Sequence, residues 1–310
     1  MTTTIIVLIV SLALVVFGAD KLVDGASTIA RKAGISEFVI GLTIVGFGTS
    51  CPELVVSITG ALEGLSDVAL GNVIGSNIFN TLLILGLTAV IAPMAVTPQN
   101  KRRDIPLTLA VTALLCAMIL FGRIGRLTGA FFLLLFVGYL VLCFKTGQAE
   151  TREEDGKAMG LAAAIAWTVF GLGALIAGGK FFVDSAVEIA RMAGVSEKFI
   201  AITLLAGGTS LPELVTCIIA ASRHKGQLAL GNILGSNVFN ILLILGCSSV
   251  IAPINCGGMN IVDVSTLMLS AILVFTSAFT GRNDKIDRLD GALMLLCEAA
   301  YMFLLISEIQ

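Results

Sequence analysis

Residues 41–93 and 201–253 carry one sequence twice, 160 positions apart and without a gap, identical at 28 of 53 positions. The blocks GFGTSCPEL (46–54) and GNVIGSNIFNTLLILG (71–86) return as AGGTSLPEL (206–214) and GNILGSNVFNILLILG (231–246). Each copy sets one glutamate, Glu53 or Glu213, deep in an otherwise uncharged stretch. A fold that accommodates this chain must give both copies equivalent surroundings and must explain two carboxylates in apolar sequence.

Only 13% of the residues are charged and 57% are hydrophobic, against about 25% charged in soluble domains. Uncharged windows long enough to cross hydrocarbon, roughly 17–25 residues, recur along the whole chain. They predict an all-α polytopic membrane protein with ten transmembrane helices, near 3–24, 38–62, 68–92, 104–122, 126–146, 158–182, 198–222, 228–252, 262–281 and 288–308. The runs 68–100 and 226–262 exceed one span, so turns are expected around Pro93 and Pro253. The first window lacks the basic start and small-residue cleavage site of a signal peptide. Its weak return at 161–184 (Val23-Asp24 against Val183-Asp184) also makes it part of the fold. The seven cysteines form no C-x-x-C pair and lie in or beside apolar segments, which argues for packing rather than a disulfide or zinc framework. The net charge of −2 carries no information about partners, because most charges lie in short loops; the lack of a basic patch or aromatic-rich motif argues against nucleic acid.

Ten spans place both termini on one side. With both outside, fourteen Lys/Arg fall inside and five outside, as the positive-inside rule requires. Five spans per copy is an odd number, so the second copy enters the membrane upside down. The expected organisation is two inverted-topology five-helix repeats, 1–147 and 158–310, joined by a short polar linker at 148–157. In transporters built this way the binding site lies near the midplane, where the repeats meet.

Within the first block, Gly46, Gly48 and Pro52 loosen a helix, because proline lacks a donor and glycine is conformationally free. The helix should break at membrane depth, where irregular backbone is tolerated only beside protein or water. Ser50-x-x-Glu53 and Ser210-x-x-Glu213 also read as capping boxes. A cap alone does not require an ionisable group at the bilayer centre, which costs about 2.5–3.5 kcal/mol or more. A functional role for both glutamates is therefore favoured. In the second block, Asn72, Ser76 and Asn80 follow at i, i+4 and i+8 on one helix face, repeated by Asn232, Ser236 and Asn240. Gly71 and Gly75 read as a close-packing G-x-x-x-G, and interhelical hydrogen bonding competes with ion binding for the Ser and Asn residues, most strongly at Asn72 and Asn232.

Together the blocks offer carboxylate, hydroxyl, amide and carbonyl oxygens, with no cluster of Lys, Arg, His or thiolate. Such a set suits hard cations such as Ca²⁺ and not the softer transition metals. Two carboxylates balance one Ca²⁺ or two Na⁺.

These residues resemble the two α-repeats of the Ca²⁺/cation antiporter superfamily, especially compact prokaryotic sodium/calcium exchangers, over nearly the whole chain. The resemblance implies that Glu53 and Glu213 are the principal Ca²⁺ ligands, helped by Thr49 and Thr209. It implies Na⁺ sites completed by Ser50, Ser210, Ser76 and Ser236, carbonyls from Gly46 and Ala206, and Asn80 and Asn240 lining the centre. Several relatives carry aspartate where this chain has Asn80 or Asn240, so neither potassium co-transport nor proton coupling at that position is expected here.

The function expected is exchange of Ca²⁺ for Na⁺ by alternating access in the cell (inner) membrane. The expected surroundings are lipid and the two ions, with no cofactor, no enzymatic activity and no obligate protein partner. A Ca²⁺/H⁺ antiporter and, from another class, a cation channel are the alternatives. Outside the blocks, Glu298 lies mid-span but faces Gly138 in the repeat register; Asp24 and Asp184 sit at span ends, with Arg31 and Arg191 as expected partners; His224 is expected in solvent, and Cys51 abuts the site.

Overall fold

The computed structural model describes residues 2–146, 159–195, 206–280 and 284–307. The chain runs through α1 (Thr2–Ala33), α2 (Glu37–Thr49), α3 (Cys51–Leu62), α4 (Ser66–Ile91), α5 (Asn100–Leu120) and α6 (Arg126–Thr146). It continues through α7 (Leu161–Met192), a single turn at Ala206–Gly208, α8 (Leu211–Ser222), α9 (Gly226–Ile251), α10 (Ile261–Thr280) and α11 (Arg288–Ser307). Among the described residues, eight helices are long and apolar enough to cross a membrane, and the bent pair α2–α3 makes a ninth. The one remaining expected span, 198–222, the seventh in chain order, falls partly on 196–205, outside the described residues. Its described part, α8, has 12 residues and measures about 18 Å, short of the roughly 30 Å of hydrocarbon.

Two expectations about boundaries change. α1 and α7 are each 32 residues long, well past the expected ends near 24 and 182. Backbone hydrogen bonding continues through Asp24 and Asp184, because a charge ends an apolar window without ending a helix. Second, four two-residue strands occur outside the helices: β1 (Met94–Ala95), β2 (Arg123–Ile124), β3 (Ile254–Asn255) and β4 (Lys285–Ile286). β1 and β3 directly follow the expected turns at Pro93 and Pro253. β1 pairs antiparallel with β4, and β2 with β3, so each tiny sheet takes one strand from each half of the chain.

The expected helix break is present. α2 and α3 meet at 49°, with Ser50 between them at φ −83°, ψ 8°. Pro52 stands in the first turn of α3 and Pro212 in the first turn of α8, where the missing N–H would have had no helical acceptor. Periodicity did not reveal the π-helical stretches Gly41–Val45, Phe79–Leu85 and Phe239–Ile244. The last two are repeat mates carrying Asn80 and Asn240, and π-bulges often mark functional sites.

The halves interleave. α6 packs on the C-terminal part of α9, and α11 on the C-terminal part of α4. Gly129 and Gly291 make these approaches possible: a Cβ would come within 2.8 Å of the Gly246 carbonyl at one and 2.5 Å of the Gly86 carbonyl at the other. The close packing read into the second block is present at Gly231, where a Cβ would lie 2.2 Å from the Phe38 carbonyl of α2. At Gly71 and Gly75 themselves, the expected G-x-x-x-G, a Cβ would meet no described atom within 4 Å; positions 198 and 202, the repeat mates of Phe38 and Leu42, lie outside the described residues. In α9, 94% of the best membrane window is buried, against 22% in α11; the centre of the fold is therefore the pair of helices carrying the repeated Asn-Ser-Asn face.

Candidate cation site

The two bends bring the first turns of α3 and α8 together. Ser50 Oγ donates to Glu213 Oε1 at 3.0 Å, and Ser210 Oγ donates to Glu53 Oε1 at 3.1 Å. Each half thus supplies the hydroxyl that meets the other half's carboxylate. This replaces the expected capping box: neither serine makes a side-chain cap bond to its own helix. With the backbone of Ser50 and Ser210 near ψ 8° and 7°, outside the usual β-region of a capping residue, the hydroxyls are taken by the opposing glutamates instead.

Both glutamates are fully buried. Their second oxygens, Glu53 Oε2 and Glu213 Oε2, are buried without a hydrogen-bond partner, as are Ser76 Oγ, Ser236 Oγ, Thr209 Oγ1, Asn240 Oδ1 and both polar atoms of Asn80. A buried polar atom left unpaired costs about 1–3 kcal/mol, and a charged one more. That expense recurs here at residues that sequence reasoning had already named, and all but the Asn80 amide nitrogen are oxygens. No Lys, Arg or His is buried among the described residues, so positive side chains do not neutralise the carboxylates. The donor set fits a dehydrated hard cation, which takes oxygen ligands.

The remaining candidates divide. Thr49 is buried, and its hydroxyl contacts the carbonyls of Val45 and Gly46 and Asn232 Oδ1, at 3.1, 3.4 and 3.2 Å. The Gly46 carbonyl also accepts from Ser50 N. Ala206 opens the short turn before Ser210. Asn72 and Asn232 hold the framework together: Asn72 Nδ2 donates to the Glu53 carbonyl at 3.1 Å and to Ser57 Oγ at 2.8 Å, while Asn232 Nδ2 meets Cys217 Sγ at 3.2 Å. The interhelical hydrogen-bonding reading holds for this pair.

Sequence reasoning passed over Asn77 and Asn237. Asn240 Nδ2 donates to Asn77 Oδ1 at 2.9 Å, Asn77 Nδ2 to the Asn237 carbonyl at 3.3 Å, and Asn237 Nδ2 to Thr81 Oγ1 at 2.8 Å. This amide chain ties α4 to α9. Its signal was present, since Asn77 and Asn237 are identical repeat mates, but both lie off the i, i+4, i+8 face that drew attention.

Glu298 is buried on α11 with Oε2 unpaired, and among the described residues no hydrogen bond joins it to the site. Asp24 does not pair with Arg31, because seven residues of helix set them about 10 Å apart along the axis. It pairs instead with Arg223 of the α8–α9 turn, at 2.7 Å. His224 is exposed in that turn, as expected, and Cys51 is half-buried beside the bend.

A family model described as "Sodium/calcium exchanger protein" matches residues 3–145 and 163–307. The "Sodium/calcium exchanger MaX1" of Methanosarcina acetivorans is 32% identical, the alignment covering 98% of this chain and 99% of that one. The "Inner membrane protein YrbG" of Escherichia coli K12 is 36% identical over 93% of this chain and 92% of its own. Among solved structures, the sodium-calcium exchanger NCX_Mj soaked with 10 mM Na⁺ and zero Ca²⁺ superposes with a TM-score of 0.86 at 32% identity, covering 98% of both chains. The chain belongs to the sodium/calcium exchanger family.

Proposed function

We propose that this member of the family moves Ca²⁺ against Na⁺ across the cell (inner) membrane, binding both by turns at the oxygens of Glu53, Glu213, Thr49, Thr209, Ser50, Ser210, Ser76, Ser236, Asn80 and Asn240, with carbonyls from Gly46 and Ala206. The observation that carries the reading is the reciprocal exchange of serine hydroxyls between Glu53 and Glu213, surrounded by unpaired buried oxygens. Two carboxylates balance one Ca²⁺ or two Na⁺, so either load leaves the site near neutral at a depth where net charge is costly.

In this reading the chain forms ten spans in two inverted five-helix repeats, with 198–222 as the seventh span and both termini outside. The crossed pairing of β1 with β4 and β2 with β3, together with the crossed packing of α6 and α11, supports a twofold relation between the halves. Access alternates as α1 and α7 move against the helices that hold the ions. With the termini outside, the α8–α9 turn is cytoplasmic, and its contact with α1 leaves that end closed.

The test is calcium-45 uptake into proteoliposomes loaded with sodium. Sodium inside should drive uptake, and Glu53→Gln or Glu213→Gln should abolish it. Uptake driven by a pH gradient without sodium would assign the chain to Ca²⁺/H⁺ antiport instead, and uptake needing no counter-ion would make it a channel.

A further inference from the structure

The two ends of the molecule are not equally closed. α1 packs along α8, while its repeat mate α7 makes hardly any contact with α3, the mate of α8. At the packed end Arg223, which terminates α8, bridges two carboxylates one turn apart on α1: Nη1 donates to Asp24 at 2.7 Å and Nη2 donates to Asp20. A shift of 160 residues sets Glu63 against Arg223, Lys180 against Asp20 and Asp184 against Asp24. The turns are alike: Glu63 ends α3 at φ −83°, ψ 0° and Arg223 ends α8 at φ −95°, ψ 18°. Each is followed by a left-handed residue, Gly64 at φ 75° and His224 at φ 61°. One turn therefore presents a carboxylate where its mate presents a guanidinium, and the facing helix reverses its charge in step, from Asp20 to Lys180. Yet Glu63, Lys180 and Asp184 are all exposed and form no ion pair among the described residues.

We propose that these residues form two ion latches of opposite polarity, one for each end of the molecule. Arg223 with Asp20 and Asp24 holds the α1–α8 end shut in the conformation described. Lys180 with Glu63 closes the α7–α3 end in the alternate conformation. The inference rests on the alternating-access reading above. The latches are unequal: Arg223 approaches two opposite charges, whereas Glu63 approaches Lys180 together with the like charge of Asp184. These ion pairs are partly exposed, so water and salt screen them and each is worth little; they bias the equilibrium between the two conformations without fixing it. That bias favours the state with α1 closed on α8.

The experiment uses the full chain in liposomes. Cysteines are placed at Glu63→Cys and Lys180→Cys after the seven native ones are replaced by serine or alanine, and oxidative cross-linking is read after cleavage at a protease site inserted in 148–157. Cross-linking should be weak with Arg223 intact and should rise about two- to fivefold with Arg223→Gln, the effect expected of partly exposed ion pairs. A second arm keeps the native cysteines and measures sodium-driven calcium uptake, which needs no cysteine replacement. Glu63→Lys and Lys180→Glu should each slow uptake, and the double exchange should restore it to within about twofold of the unmodified chain, as expected where the coupling energy of a pair dominates. Cross-linking indifferent to Arg223→Gln, or a double exchange no faster than the slower single variant, overturns the proposal. Cross-linking is read without an ion gradient, so it separates the two readings. If the unmodified chain shows no sodium-driven uptake, the functional reading fails; unchanged cross-linking in a chain that exchanges normally removes the latches alone.

Discussion

The centre of the molecule and its ends obey the repeat differently. At the centre the halves are reciprocal: the two serine-to-glutamate bonds, 3.0 and 3.1 Å, match within 0.1 Å. At the ends reciprocity is lost, for α1 lies against α8 while α7 stands away from α3. A site that must serve both conformations keeps contacts that survive their exchange, and the conformations differ where the contacts are not shared. The same division separates fully buried side chains at the site from the partly exposed ion pairs at the ends.

The largest expected effect breaks the central symmetry outright. Glu53→Gln or Glu213→Gln keeps the volume and removes one of two charges opposing the cation. Loss of one partner of a buried charge pair costs about 2–5 kcal/mol, a fall of roughly 30- to 5,000-fold in apparent Ca²⁺ affinity. Calcium-45 exchange titrated against calcium measures it, and a fall in only one of the two variants would show that one carboxylate is structural. Next come Ser50→Ala and Ser210→Ala, each removing a hydrogen bond to a charged group worth about 1.5–3 kcal/mol. Each should weaken exchange by about tenfold or more, and the two by similar factors. Unequal losses would place the ion nearer one half than the other.

The repeat, the membrane class, the helix break and the paired glutamates were all legible in the sequence, because each follows from residue type: charge in apolar surroundings, glycine and proline within a helix, identity at fixed spacing. The reciprocity itself was not. Ser50 three residues before Glu53 is an ordinary capping signal, and only the bend at Ser50 shows that its hydroxyl serves the opposite half. The π-helical stretches were equally hidden, since Phe79–Leu85 and Phe239–Ile244 are uniformly apolar apart from Asn80, Thr81 and Asn240 and carry no periodic mark of an extra residue per turn. The partner of Asp24 was missed because Arg223 lies 199 residues away in the chain, where no local pattern points.

A smaller effect tests the frame around the site. Asn72 and Asn232 are repeat mates in different roles. Asn72 supports the carbonyl of Glu53, while Asn232 accepts from Thr49 and donates to Cys217. Asn72→Ala and Asn232→Ala should each lower exchange about fivefold, the worth of roughly 1 kcal/mol from one neutral hydrogen bond. The accompanying loss of thermal stability should be larger for Asn72→Ala, which leaves both Ser57 Oγ and a backbone carbonyl without their donor. Purified variants compared by thermal unfolding in detergent decide the order; equal shifts would mean that the frame, too, is symmetric.

The smallest expected effect is none at all, and it tests the charge of the centre. The positions of Asn80 and Asn240 carry amides, and the described residues hold no group of three or more acidic, histidine or cysteine side chains able to bind a metal. One Ca²⁺ already neutralises Glu53 and Glu213, so a co-transported K⁺ would leave a net positive charge at a depth where about 2.5–3.5 kcal/mol or more is lost per uncompensated charge. Replacing potassium by choline on both sides should therefore leave sodium-driven calcium uptake unchanged. Asn80→Asp supplies the missing carboxylate on the same helix face, and in that variant uptake should acquire a dependence on potassium or on protons. A potassium requirement in the unmodified chain would mean that a further negative group reaches the site, and Glu298, buried and half-unpaired on α11, is the first residue whose replacement by Gln should then remove it.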